Sequence, residues 1–197
     1  MNPFFLALTL AAVVLTVPGC RSGKKDASDR AMENRERIIE ILRATGRPGI
    51  EAVISNLDTT DFYTRGAGGH HTEVGGLAQH SLEVYRIMQV TSWFLRSDSV
   101  AITALMHDMG KIDYGGWHPW RSVKHLSEWG LKLTKQEYFT IFYHHKPKLR
   151  YFRYPLRVSL SFADVLSSAW WRLWHRAPSD ASPDDTGAAG GPDPHHD

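Results

Sequence analysis

Four side chains that can ligate a metal ion lie within or at the end of strongly apolar segments of this sequence. His80 lies on an apolar helical stripe, His107 and Asp108 end the run AITALM, and Asp164 lies within VSLSFADVL. A buried carboxylate without a partner is costly, so it needs a cation or strong hydrogen-bond donors. One divalent ion would satisfy all four groups, and mixed imidazole and carboxylate ligation suits Mn, Fe, Co, Ni or Zn better than calcium. A lone buried histidine is more often a hydrogen-bonded core residue, so both interpretations of His80 stay open.

Helices are predicted to position these residues, because apolar residues recur at helical spacing and strand-like alternation is not sustained. Thr134, followed three residues later by Glu137, is typical of a capping box. Ser97 or Asp98 is predicted to cap the helix that leads to the His-Asp pair. Further helices are predicted over residues 34–45, 50–57, from 77 onward and from about 155 to 174, with a glycine-rich turn region at 59–76. The pattern predicts an all-α fold, a single bundle of about six or seven helices.

The two ends of the chain differ in composition from its middle. Residues 4–17 form an apolar run with the length of a signal-peptide core, and Cys20 follows a small residue. Residues 1–31 are therefore interpreted as a signal-peptide or lipoprotein-like segment with lipidation at Cys20, which predicts weak membrane attachment through the N-terminus. The alternative is that Met32 is the true start and the protein is cytoplasmic. Residues 32–176 are the expected domain, and residues 177–197, rich in Pro, Gly, Asp and Ser, are expected to be a disordered tail.

Bulk composition narrows the class of protein. The 197 residues are 42% hydrophobic and 22% charged, which is typical of a domain with a packed core. A net charge of +2 is too small to indicate general attraction to nucleic acids or membranes. With a single cysteine, no internal disulfide can form.

Three motifs, GGLAQHSLEVY, ALMHDMGK and SFADVLSSA, occur in the order found in a known family. The chain resembles the HD superfamily of metal-dependent phosphohydrolases over nearly all of residues 32–171. The resemblance implies an HD-type helical bundle and a divalent metal ion held by His80, His107, Asp108 and Asp164. It also implies hydrolysis of a phosphomonoester or phosphodiester by metal-activated water, with Asp108 as a catalytic residue. Lys111, three residues past Asp108, is the second catalytic candidate, because its ammonium would reach a phosphate as a point charge. A lysine that merely offsets the dipole at a helix C-terminus is the alternative for Lys111.

Additional histidines hold a second metal ion in many similar sequences. Here the candidates for a second metal or for substrate contact are His118, His144 and His145, whereas His125 is expected on a helix surface. The alternative is that all of these face solvent. His71 lies among glycines just before the first ligand helix and is a candidate pocket residue.

Basic residues interleaved with aromatic ones precede the last helix, and Lys146, Lys148 and Arg150 are candidates for phosphate binding. The alternative is that this basic stretch is simply solvated. The expected partner is a small phosphorylated substrate, in the first place a nucleotide, with a nucleic-acid end as another candidate. Two rival functions remain: a non-catalytic HD module that binds a nucleotide or a metal, and a diiron oxygenase on the same scaffold.

Overall fold

Seven α-helices and no strand make up the part of the chain that the computed structural model describes, residues 26–113, 117–146 and 154–175. In chain order they are α1 (Ala27–Ala44), α2 (Ile50–Leu57), α3 (Gly76–Thr91), α4 (Ser97–Met106), α5 (His118–Glu128), α6 (Lys135–Tyr143) and α7 (Pro155–Trp174). A short 3-10 turn, Met109–Ile112, follows α4. The predicted all-α bundle is confirmed. Residues 1–25 with Cys20, the tail from 177 to 197, and Lys148 and Arg150 lie outside the described residues.

Helix α4 is the centre of the bundle. Its side chains are buried from Ser99 to Met106, as expected for a helix that is apolar on every face. Helices α1, α3, α6 and α7 pack against it. The prediction that Ser97 or Asp98 caps this helix was wrong, because Arg96 occupies the N-cap position and no side chain caps the backbone. Asp98 instead accepts hydrogen bonds from Arg96 and Arg47.

Helices α3 and α7 run antiparallel beside α4. Near the start of α3, His80 contacts Ser167 late in α7. Further along α3, Val84 and Met88 share an apolar cluster with residues from the first half of α7. Because the predicted ligands lie on α3, on α7 and directly after α4, the packing of these three helices decides whether those ligands meet.

The capping box at the start of α6 is confirmed. The Thr134 side chain accepts from the Glu137 backbone N–H, and the Glu137 side chain accepts from the Thr134 backbone N–H. Helix α1 begins at Ala27, well before the expected residue 34, because its first turns are polar and carry no apolar period that would reveal them. None of the helices in the described ranges combines the length and the apolar character that a membrane span requires.

Candidate metal centre

The four ligands predicted from the sequence come together between α3, α4 and α7. His80 Nε2 lies 3.1 Å from Asp164 Oδ1 and 3.7 Å from Asp108 Oδ2, and His107 Nε2 lies 3.5 Å from the same Asp108 oxygen. The two imidazoles are fully buried, Asp108 is nearly so, and the Asp164 side chain is 16% exposed. One ligand atom each from His80, His107 and Asp164 lies within 4.8 Å of the others, so this group could hold a metal ion.

A second group meets on the other side of the same carboxylate. Asp108 Oδ1 lies 3.1 Å from His118 Nε2 and 3.4 Å from His144 Nε2. His145 completes the group, with its Nε2 2.9 Å from that of His118. Each oxygen of Asp108 therefore faces a different set of imidazoles, which is the arrangement of a carboxylate that can bridge two ions.

The backbone sets the proton positions on two of these imidazoles. His107 Nδ1 lies 2.9 Å from the carbonyl oxygen of Ala104, and His144 Nδ1 lies 2.6 Å from that of Ile141. A carbonyl oxygen can only accept, so Nδ1 carries the hydrogen and the lone pair is on Nε2. Both Nε2 atoms are buried without a hydrogen-bond partner, as is Asp108 Oδ1. Metal-binding histidines have this arrangement, in which one nitrogen is anchored and the other is left for the ion.

His80 is oriented by a chain of side chains rather than by the backbone. Its Nδ1 lies 3.1 Å from Ser167 Oγ, and that hydroxyl donates to Glu83 Oε2 at 2.8 Å. Because the hydroxyl hydrogen is used on Glu83, Ser167 accepts from His80 Nδ1–H and leaves Nε2 unprotonated. The same Glu83 oxygen lies 2.9 Å from His71 Nε2, so the predicted pocket residue His71 supports this chain and is itself fully buried.

The electrostatics keep the carboxylates charged and the central imidazole neutral. Burial would raise the pKa of Asp108, but the Lys111 ammonium at 2.6 Å acts against it, and that pKa lies well below its ordinary value. Burial likewise opposes ionisation of Asp164, yet the pKa of this carboxyl also lies below its usual range. Burial lowers the pKa of His107 to about 3. At neutral pH the centre therefore offers anionic oxygens and a neutral His107, the forms that bind metal ions.

Close packing holds the turn that carries the His-Asp pair. The Ser122 hydroxyl on α5 lies 2.8 Å from both the carbonyl oxygen of His107 and the backbone N–H of Gly110. A Cβ on Gly110 would collide with the His118 carbonyl and approach the Ser122 nitrogen to 2.6 Å, so the turn lies directly on the start of α5. This contact places His118 opposite Asp108.

The turn after α6 presents His144 and His145, and a buried arginine holds it. Arg157 on α7 is 4% exposed, and its guanidinium donates to the carbonyl oxygens of Tyr143 and Lys146. Carbonyl oxygens at a helix end have no donor within the helix, so the Arg157 guanidinium supplies hydrogen-bond donors at the end of α6. The sequence placed Arg157 in a basic stretch and indicated no role of this kind.

The remaining predicted residues have mixed placements. Lys111 Nζ lies 2.6 Å from Asp108 Oδ2, so its ammonium pairs with a candidate ligand. The Lys146 ammonium lies 4.3 Å from the centre of the Trp117 ring. His125, expected on a helix surface, is partly exposed, binds Asp113 at 2.8 Å and belongs to neither group.

His70 is a site residue that the sequence analysis did not single out. Its ring centre lies 4.7 Å from that of His80, and its Nε2 lies 3.1 Å from Ser168 Oγ. One ligand atom each from His70, His71 and His80 also lies within 4.8 Å of the others. The signal was the doublet of histidines in a glycine-rich loop directly before a ligand helix.

Comparisons of this chain with protein-family models, with curated proteins and with solved structures find no match. The assignment of chemistry therefore depends on the geometry. Buried carboxylates and anchored imidazoles that converge on one point fit a divalent transition metal ion better than they fit a hydrogen-bonded polar core, in which the buried nitrogens would have partners.

Proposed function

We propose that this protein is a metal-dependent phosphohydrolase of the HD type. One observation carries the proposal: the Nε2 atoms of His80, His107 and His144 lie 3.4 to 3.7 Å from the oxygens of Asp108, and all three are buried without a hydrogen-bond partner. The Lys111 ammonium pairs with one oxygen of Asp108 and leaves these three nitrogens unsatisfied, whereas metal ions among them would satisfy all three. The resemblance of the HDMGK and GGLAQHS segments to the HD superfamily agrees with this geometry.

In this proposal His80, His107, Asp108 and Asp164 hold one ion, and Asp108, His118, His144 and His145 hold a second. A divalent ion supplies two things to phosphate chemistry: it polarises a phosphoryl oxygen and lowers the pKa of the water it binds.

The chain's own residues keep this site ready for the ions. The anchored Nδ1 atoms hold the His107 and His144 rings with Nε2 turned toward Asp108. Lys111 adds a positive charge beside Asp108, where a phosphate would approach.

The substrate class proposed is a phosphomonoester or phosphodiester, in the first place a nucleotide. The test is metal analysis of the purified protein, followed by hydrolysis of bis-p-nitrophenyl phosphate with added Mn or Ni. We expect His107→Ala and Asp108→Ala to abolish the release of p-nitrophenol. His125→Ala is the matched control, because His125 lies on the same helix as His118 but outside both groups, and it should keep full activity.

Two outcomes would contradict the proposal. Activity that persists in His107→Ala and Asp108→Ala would identify a contaminating enzyme. Protein that purifies with two irons, consumes oxygen and hydrolyses no phosphate ester would instead support the diiron oxygenase, whose ligand requirements the two groups around Asp108 also meet.

A further inference from the structure

Two pairs of chain neighbours lie side by side at the edge of the candidate centre. Trp117 precedes His118, and Lys146 follows His145. The Nε2 atoms of His118 and His145 are 2.9 Å apart. The residues next to them also meet, since the Lys146 ammonium lies 4.3 Å from the Trp117 ring centre. Trp117 and Lys146 are thus each adjacent in the chain to a candidate ligand.

Trp117 belongs to a group of aromatic side chains that are open to solvent. Its ring centre lies 4.5 Å from that of Phe142, and Phe142 stacks on Tyr138 at 5.4 Å with an angle of 14° between the rings. Trp117 is 39% exposed and Tyr138 is 40% exposed. We call Trp117, Phe142 and Tyr138 the aromatic rim. Large exposed rings that cluster beside polar candidate ligands are characteristic of a surface that binds a ligand.

The position of the rim and its charge indicate what it binds. We propose that the aromatic rim binds the base of a nucleotide whose phosphate lies at the candidate centre. Bases stack on aromatic faces without regard to sequence, because every base has a π-face. A phosphate at His118 and His145 would lie within reach of the neighbouring Lys146, a flexible point charge suited to phosphate. The ammonium that lies over Trp117 would then move to the phosphate and leave the indole face to the base.

This inference rests on the proposed function for the location of the phosphate, but its test measures binding and not turnover. Metal-loaded protein is titrated calorimetrically with the 5′-phosphonate analogues of adenosine monophosphate and of ribose 5-phosphate, in which a CH2 group replaces the ester oxygen so that neither can be hydrolysed. The second ligand carries the same phosphonate and sugar without a base. We expect the nucleotide to bind about tenfold more tightly, the effect of one base stacked on an aromatic ring. Trp117→Ala should remove this preference, and Trp117→Phe should keep most of it.

Trp93→Ala is the matched control, since Trp93 is 77% exposed and lies in the connection between α3 and α4. It should keep the tenfold preference. Equal affinities for the two ligands in wild-type protein, or an unchanged preference in Trp117→Ala, would overturn the inference even if the protein hydrolyses phosphate esters. A preference that disappears in Trp117→Ala would support the rim even in protein without hydrolase activity. Failure to bind either ligand would also overturn it.

Discussion

Ser167 on α7 accepts a hydrogen bond from His80 on α3, at 3.1 Å between Oγ and Nδ1. The contact joins two helices that are far apart in the sequence and determines which nitrogen of a candidate ligand is left for the metal. Glu83 completes the chain by accepting the Ser167 hydroxyl hydrogen at 2.8 Å. Outer contacts of this kind orient metal ligands in proteins generally.

Replacing Ser167 by alanine should weaken metal binding without removing any ligand. His80 then loses the acceptor that holds its tautomer, and we expect the dissociation constant for Zn or Mn to rise about tenfold, within the usual range for such outer partners. Glu83→Gln keeps an oxygen but loses the charge, so its effect should be smaller. The measurement is calorimetric titration of metal-free protein. Ser127→Ala is the control, since Ser127 is exposed on α5 and belongs to neither candidate group; equal losses in Ser167→Ala and Ser127→Ala would contradict this role.

Metal binding should stabilise the fold. The candidate ligands lie on α3 and α7, at the first residue of α5 and in the turns that follow α4 and α6, and they converge only when the chain is folded. An ion present at about 100 times its dissociation constant adds about 2.7 kcal/mol to the free energy of unfolding. We expect a higher melting temperature by differential scanning calorimetry after addition of Mn or Zn, reversed by EDTA. His107→Ala should show no such increase; if it responds like the wild type, the ion binds elsewhere.

Much of the fold could be predicted because the local signals are strong. The apolar period revealed the last helix, Pro155–Trp174, and the Thr134–Glu137 pair revealed the start of α6. The His-Asp pair was recognisable because a carboxylate at the end of an apolar run is expected to be buried and then needs a cation or hydrogen-bond donors. Helix α1 was predicted too short because its first turns are polar and exposed apart from Ala31.

The parts of the site that escaped prediction depend on packing between distant segments. Ser167 and Arg157 act through contacts between α7 and other elements, and small or basic residues on a helix give no sign of such contacts. The pairing of Lys111 with Asp108 also could not be read from the sequence, because a lysine three residues after an aspartate can face either the dipole or a ligand. Helix packing in three dimensions decides these roles.

Arg47 should be a strong determinant of stability. Its guanidinium binds the fully buried carboxylate of Glu137 at 2.8 Å and also reaches Asp98. Burial opposes ionisation of Glu137, yet the hydrogen bond from Arg47 outweighs it and lowers the pKa of that carboxyl. Arg47→Met leaves the buried charge without its partner, and we expect a loss of about 3 kcal/mol in the free energy of unfolding, measured with urea.

The control for this substitution is Arg43→Met. Arg43 forms an ion pair with Glu51 that is exposed on both sides, so water replaces the pair when it is lost. A urea midpoint close to that of the wild type is expected. If Arg43→Met and Arg47→Met destabilise the protein equally, burial of Glu137 is not the cause of the loss.

The metal-free protein should lose stability when the pH falls below about 6.5. His107 is fully buried, and burial lowers its pKa from 6.5 to about 3 in the folded state. Between these pH values His107 is protonated in the unfolded chain and neutral in the folded chain, so acid favours unfolding. The free energy of unfolding falls by at most about 1.4 kcal/mol per pH unit for one proton. The lowered pKa values of Asp108 and Asp164 act in the same direction at lower pH. Urea unfolding at pH 7.5 and pH 5.0 should show this decrease in stability. The His107→Gln variant, whose side chain cannot titrate, should show a smaller decrease. Equal stability of the wild type at both pH values would mean that His107 is accessible to protons in the folded state.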